Sequence, residues 1–464
     1  MKPLRIILAL LPLAASVQDV HAEASRPNVV ILLTDDQGTL DANCFGSKDL
    51  ITPHMDKLAA TGIRFTQAYA HAVCCPARAA LFTGRHPQRG GVVNWTQGDR
   101  HGSDSQNLHM ASEEVTLAET MKSAGYRTAL FGKWHLGAEI GHGPLAQGFE
   151  TYFGHLGGFI DNYRHFFLHG KGYHDLWDGN QEIFRAEQYY PDFLTDRAVQ
   201  YIEDNKAGPF FMTVAFNLPH YPEQPGEKFK DAYADMPMPR QSYARVISTV
   251  DEHIGCILRK LEQTGVRDNT IVIFMSDNGH STENNAGIAV DNHASGYPRG
   301  HYYLAHGGGG NTGKWIGQKG SFLEGGIRVP AMISYPAKLP QGEVRDQIVT
   351  IMDWFPTVLE LCGIKPQSNA SKLDGRSLTP VIADPHAPAA HDVLHFAWAN
   401  QWAVRKGDWK LISQLNRQSK TTELSLHNLA EPSPEVKDHH AEQPQVVKEL
   451  QALHQAWQEQ VKAP

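Results

Sequence analysis

The chain has 464 residues, 41% of them hydrophobic and 20% charged, with a formal net charge of −8. This length predicts one large domain with a smaller companion, or two of similar size. The acidic balance argues against a broad nucleic-acid surface, so an anionic ligand has to be caught in a local basic pocket. The five cysteines, Cys44, Cys74, Cys75, Cys256 and Cys362, are too few and too scattered for a disulfide scaffold, although one bridge is possible.

In chain order, residues 1–22 combine basic Lys2 and Arg5, an apolar run from Leu4 to Ala15 and a small-residue site ending at Ala22. This reads as a signal peptide cleaved after about Ala22, and predicts a secreted or periplasmic protein. No later segment reaches the ~20 apolar residues that a membrane-spanning helix needs.

Short apolar runs rich in β-branched or aromatic residues then alternate with helical patterns, which predicts an α/β fold with a mostly parallel, buried central sheet. Four of the runs lead into polar residues: "NVVILLTDD" into Asp35 and Asp36, "RTALFGKWH" into Lys133 and His135, "PFFMTVAFNLPH" into His220, and "TIVIFMSDNG" into Asp277 and Asn278. Ligands of open α/β sheets bind beyond the carboxyl ends of the strands, so these residues should gather along one edge. The segments "TPHMDKLAATG" and "EEVTLAETMKSAGY" read as helices stopped by glycine. Residues 280–313, rich in Gly, His, Asn and Ser, read as a long loop near that edge. The predicted large domain covers residues 23–375. From 376 to 464 the texture changes to short alternating segments, then a helical pattern with Val446, Val447, Leu450, Leu453, Trp457 and Val461 on one face. This predicts a small C-terminal α+β subdomain with an antiparallel sheet.

The stretch "HAVCCPARAALFTG" carries the most specific chemistry. Pro76 suits the first position of a helix, which would place Cys74 just before a helix N-terminus suited to an anion, with Arg78 one turn on. Three readings of Cys74 follow: a structural core thiol, a thiolate nucleophile activated by the helix and Arg78, or a residue that is no longer cysteine in the mature protein. Asp35, Asp36, Asp277 and Asn278 are oxygen ligands suited to a hard divalent cation such as Ca²⁺ or Mg²⁺. A Cys-His hydrolase needs no such ion, whereas an oxygen nucleophile fits one well.

"AVCCPARAALFTG" resembles the signature of the type I, formylglycine-dependent sulfatases of the alkaline phosphatase superfamily. Its companions stand in the same order: "VILLTDDQG", "TPHMDKLAATGIRFTQAYA", "GYRTALFGKWHLG", "NLPHYP", "SDNG" and "QKGSFLEGGIRVP", followed by "DWFPTVLELCG", "LDGRSLTP" and "RKGDWKLI". The resemblance implies an alkaline-phosphatase-like large domain and a sulfuric ester hydrolase. It implies that a formylglycine-generating maturation enzyme oxidises Cys74 to formylglycine (3-oxoalanine), with Cys75 as its variable neighbour. It further implies one Ca²⁺ held by Asp35, Asp36, Asp277, Asn278 and the modified residue 74. Arg78, Lys133 and Lys319 would hold the hydrated aldehyde and the sulfate oxygens, His220 would protonate the departing alcohol, and His135 would deprotonate the second hydroxyl of the hydrate.

"GFETYFGHLGGFIDNYRHF" is similar to a segment of the arylsulfatase B branch, and the Cys74-Cys75 doublet also occurs in glucosamine-6-sulfate sulfatases. Both imply a sulfated saccharide substrate, with 4-sulfated galactose or N-acetylgalactosamine units as the specific expectation. Loop aromatics suit a sugar polymer. Two alternatives stand beside this one: a phosphonate or phosphodiester hydrolase of the same superfamily, which Asn278 disfavours because a histidine is more typical there, and a non-catalytic sulfated-glycan binder. His71, His280, His293 and His306 are further candidates for the substrate pocket, and Asn94 and Asn369 match glycosylation acceptors.

Overall fold

The computed structural model describes residues 26–95, 100, 109–284, 294–298, 300–302, 304–365, 372–415 and 421–462. The expected signal segment, His293 and Asn369 lie outside the described residues. The centre of the molecule is a ten-stranded sheet. Its order from one edge is Glu343–Thr350, Ile63–Tyr69, Ala331–Ser334, Thr270–Ser276, Asn28–Asp35, Phe210–Pro219, Arg127–Lys133, Thr151–His155, Trp177–Asp178 and Gln181–Glu182. The strands from Thr270–Ser276 to Thr151–His155 are mutually parallel, while Ala331–Ser334 runs antiparallel to both its neighbours.

All eight residues of Asn28–Asp35 are buried, because helices cover both faces of the sheet. Val29, Ile31 and Leu33 point into one core with Leu81, Met121 and Val358, from the helices Cys74–Thr83, Leu117–Ser123 and Trp354–Leu361. Val30 and Leu32 point into the other, with Leu194, Ile202, Val250 and Ile254 from Tyr190–Asn205 and Arg240–Gln263. The period of two along the strand thus assigns alternate residues to opposite helical layers.

A separate four-stranded antiparallel sheet, Val393–Trp398, Gln401–Lys406, Trp409–Leu415 and Thr422–Asn428, is followed by the helix Pro444–Lys462. Val447, Leu450, Trp457 and Val461 of that helix are buried, Val446 and Leu453 half-buried. His454, absent from the expected apolar face, is buried too and stacks on Trp402. The small sheet docks on the large one through Leu394, Phe396, Ala403 and Ile412, packed against Tyr69, Phe322 and Ile327. No two of the described cysteines form a disulfide.

Candidate active site

The four strands expected to end in polar residues are adjacent and parallel in the sheet. Their carboxyl ends therefore meet, and Asp35, Asp36, Lys133, His135, His220, Asp277 and Asn278 converge at one edge. Asp36 and His135 adopt φ of 69° and 60°, a left-handed conformation that turns the chain sharply past each strand.

The helix Cys74–Thr83 brings Cys74 to this edge, and all ten of its residues are buried. It begins two residues earlier than expected, with Val73 as N-cap and Pro76 third in the helix. The first four helical N–H groups have no partner within the helix, so proline is tolerated throughout that turn. The helix stops at Gly84, where φ is 64° and the N–H donates to the Ala80 carbonyl. A second glycine, Gly279, lets the chain after Asn278 lie against Gly325, whose carbonyl oxygen would be 1.9 Å from an added Cβ. This approach lets the Lys319 N–H donate to the His280 carbonyl at 2.9 Å, and sets Lys319 over the acids.

Lys133 Nζ lies 2.6 Å from Asp35 Oδ2. Arg78 donates to Asp277 Oδ2 through Nε at 3.0 Å and Nη2 at 2.7 Å, and to the Lys133 carbonyl at 2.8 Å. Lys319 Nζ lies 2.9 Å and His220 Nε2 3.7 Å from Asp36 Oδ2. Asn278 Nδ2 donates to Asp36 Oδ1 at 2.6 Å. These residues are buried, apart from Lys319, whose side chain keeps 7% exposure, yet Asp35 Oδ1 and Asn278 Oδ1 find no hydrogen-bond partner among the described residues. Unpartnered buried oxygens are costly unless a ligand completes them.

The electrostatics point the same way. Burial pushes the Asp36 carboxyl up to about 6 against the pull of Lys319. Burial and the Asp35 charge push Asp277 to about 6. Asp35 is also opposed by burial, but Lys133, His220 and Arg78 together hold it below the usual carboxylate range. Carboxylates packed this closely fit a divalent cation. Ligand atoms of Asp35, Asp36 and His220, and of Asp35, Cys74 and Asp277, lie within 4.8 Å of one another in each group. The oxygens suit a hard ion better than does the His220 imidazole.

Burial raises the Cys74 thiol to about 12 despite Lys133 and Lys319. The unmodified thiol is therefore protonated at neutral pH, which runs against the reading of a thiolate activated by its helix. In front of it opens a cavity of about 270 Å³, lined by Cys74, His135, His220 and Lys319 on the polar side. Arg78 and Lys133 sit behind, engaged by the acids. His220 Nδ1 lies 2.7 Å from the Tyr221 carbonyl, so it must carry a proton, and Nε2 faces Asp36. Phe159 stacks on the His220 ring at 5.3 Å, and Trp95 on His135 at 6.2 Å.

Sequence reasoning did not single out Trp95, Phe159, His169 or Glu283, which also line the cavity. Their signal was positional: Phe159 lies in "GFETYFGHLGGFIDNYRHF", and Glu283 in the loop after "SDNG". That loop does reach the site, and the His280 backbone anchors Lys319. His306 pairs with Asn284 beside Glu283. His71 is instead buried between Phe322 and Phe396, at the seam with the small sheet.

Among the described residues no helix is long and apolar enough to cross a membrane. The chain is 30% identical over 418 residues to the N-acetylgalactosamine-6-sulfatase of Rattus norvegicus, covering 86% of this chain and 74% of that protein. It is also 30% identical over 414 residues to arylsulfatase J of Mus musculus, covering 85% and 63%. The solved structure of Ps i-CgsB in complex with k-i-k-neocarrahexaose superposes with a TM-score of 0.78 at 27% identity, over 93% of both chains. A phosphonate monoester hydrolase of Agrobacterium radiobacter shares the fold, with a TM-score of 0.63 at 18% identity over 92% of this chain and 96% of that one. The C-terminal family of N-sulphoglucosamine sulphohydrolase matches residues 314–462. The sulfatase family matches residues 27–364, which include every strand end of the site, and the chain belongs to that family of sulfuric ester hydrolases.

Proposed function

We propose that the protein is an exported sulfatase that removes sulfate from a carbohydrate built of galactose or N-acetylgalactosamine units, after a maturation enzyme has oxidised Cys74 to formylglycine. The observation that carries this reading is the pair of unpartnered buried oxygens on Asp35 and Asn278, beside a buried Cys74 that opens into an aromatic-walled cavity. The names of the relatives support the sugar class, and the convergence of the acids at the carboxyl ends of adjacent strands supports the ion.

A Ca²⁺ held by Asp35, Asp36, Asp277, Asn278 and residue 74 would supply positive charge against the sulfate oxygens and a hydrated formylglycine. The chain's own groups supply the rest. Lys319 projects into the cavity and binds a sulfate oxygen, while Lys133 and Arg78 fix the acids from behind. Burial depresses His220 to about 4, with Lys319 adding to the effect. An incoming sulfate ester brings the negative charge that favours protonation at Nε2, the atom placed to hand a proton to the departing alcohol. His135, also held neutral by burial and by Lys133, can accept a proton from residue 74.

The test is inorganic sulfate released by matured protein, with Ca²⁺, from a panel of 4-sulfated and 6-sulfated galactose and N-acetylgalactosamine saccharides. Mass spectrometry first verifies the aldehyde at residue 74, and Cys74→Ala serves as control. Release from one class that is absent in the control is the expected result. No release from any saccharide or from 4-nitrophenyl sulfate, with the aldehyde present, refutes the reading.

A further inference from the structure

Glu283 is the one acid among the described residues lining the cavity. Its carboxylate lies 3.9 Å from Lys319 Nζ and is half exposed, at 49%. It is not needed as the counter-ion of that lysine, because Asp36 is closer at 2.9 Å. Its position is nonetheless fixed. The Ser281 hydroxyl donates to Glu283 Oε2 at 3.0 Å, the Glu283 N–H returns to Ser281 Oγ at 3.1 Å, and Gly307 N–H donates to the Glu283 carbonyl at 3.1 Å. Burial raises the carboxyl, but Lys319 and His220 outweigh it and keep the group ionised.

An ionised carboxylate at the mouth of a sulfate pocket works against the anion that the pocket must bind, unless the substrate offers it a donor. It accepts hydrogen bonds and gives none. The wall beside it is apolar or neutral: Phe159 and Phe167, and His169 paired with the Tyr221 hydroxyl at 3.0 Å. A sugar whose reacting sulfate sits on Lys319 therefore presents a neighbouring substituent to Glu283. A hydroxyl there donates to the carboxylate, whereas a second sulfate meets a like charge in a partly desolvated pocket.

Taking the cavity as the sulfate-ester pocket proposed above, we infer that Glu283 is a specificity-determining residue that selects sugars with a free hydroxyl beside the scissile sulfate and rejects those carrying a second sulfate on the same ring.

The test compares kcat/KM of matured protein on N-acetylgalactosamine 6-sulfate and N-acetylgalactosamine 4,6-disulfate, or on the equivalent pair for whichever monosulfated saccharide the panel identifies. Wild type should favour the monosulfated sugar by on the order of ten- to a hundredfold, the range that one like-charge contact in a partly screened site produces. Glu283→Gln keeps the shape and an acceptor but removes the charge, and should shrink the ratio about tenfold through gain on the disulfated sugar. Glu283→Lys should bring the ratio to parity or reverse it. Raising the ionic strength should narrow the wild-type ratio without any substitution. A wild-type preference for the disulfated sugar, or a ratio unmoved by both variants with intact thermal unfolding, overturns the inference while leaving the sulfatase reading in place. Absence of sulfate release by wild type from every ester, 4-nitrophenyl sulfate included, overturns both.

Discussion

The candidate active site and the seam between the two sheets both bury carboxylates against lysine and arginine, but they treat the oxygens differently. At the seam, Lys410 Nζ lies 2.9 Å from Glu324 Oε1 and 2.8 Å from Glu435 Oε1. Glu324 Oε2 accepts from the Tyr69 hydroxyl at 2.6 Å and from Arg328 at 3.1 Å, and Glu435 Oε2 accepts from the Glu324 N–H at 2.8 Å. Arg405 donates to Tyr69 as well. All four carboxylate oxygens are satisfied within the protein. At the site edge, Asp35 and Asn278 each keep one oxygen unpartnered among the described residues. A closed network stabilises, and an open one waits for a ligand.

The largest effect that separates the two is on chemistry. Cys74→Ala should lower sulfate release by at least about 10⁴-fold, as loss of a nucleophile does elsewhere, yet cost only about 1 kcal/mol of stability. Sulfate release and thermal unfolding on one sample check this. Lys410→Met is the converse experiment. It leaves Glu324 and Glu435 buried without their cation and should destabilise by about 3–5 kcal/mol, read as a lower urea midpoint, while release per folded molecule persists. Equal loss of both properties in either variant would erase the distinction.

Metal binding sharpens it further. Ca²⁺ at a hundredfold over its Kd should stabilise wild type by about 2.7 kcal/mol. Asp36→Asn should abolish that increment and Lys410→Met should keep it, with differential scanning calorimetry as the readout. An unchanged unfolding temperature in wild type would mean that the open oxygens hold no ion.

Much of the site edge was legible in the sequence because a parallel sheet converts position along a strand into position in space. Four apolar runs that end in polar residues must present them together once the strands lie side by side. The orientation of those residues was not legible. Arg78 and Lys133 turn back onto Asp277 and Asp35, and that choice depends on side-chain directions that no spacing encodes. The seam was hidden for another reason: Glu324, Lys410 and Glu435 come from distant segments, and each alone reads as a solvated charge. Glu283 had the same appearance within a polar loop. The helix start at Cys74 was displaced because proline marks the first turn, not a unique residue in it.

The smallest effect lies in pH dependence, where Glu324 of the seam and the pair Asp36 and Asp277 of the site carry opposite signs. Burial works against the Glu324 carboxylate, but Lys410, Arg328 and Arg405 outweigh it and lower it from 4.5 to about 2. The folded state thus binds fewer protons than the unfolded state in that window. The stability from Glu324 is fully present above 4.5 and is lost as pH falls through about 2. In metal-free protein Asp36 and Asp277 behave in reverse, since burial raises each from 3.8 to about 6. Their folded forms hold extra protons, so their contribution is greatest below 3.8 and declines as pH rises through about 6. Thermal midpoints in EDTA, taken between about pH 7 and about pH 3, should therefore fall at both ends. Glu324→Gln should shrink the acid limb, to which the lowered Asp35 also contributes, and leave the neutral limb unchanged, whereas Ca²⁺ in place of EDTA should flatten the neutral limb, because the cation competes with the protons on Asp36 and Asp277. If Glu324→Gln altered the neutral limb as well, the two clusters would be titrating as a single network, and the division between a closed seam and an open site would fail.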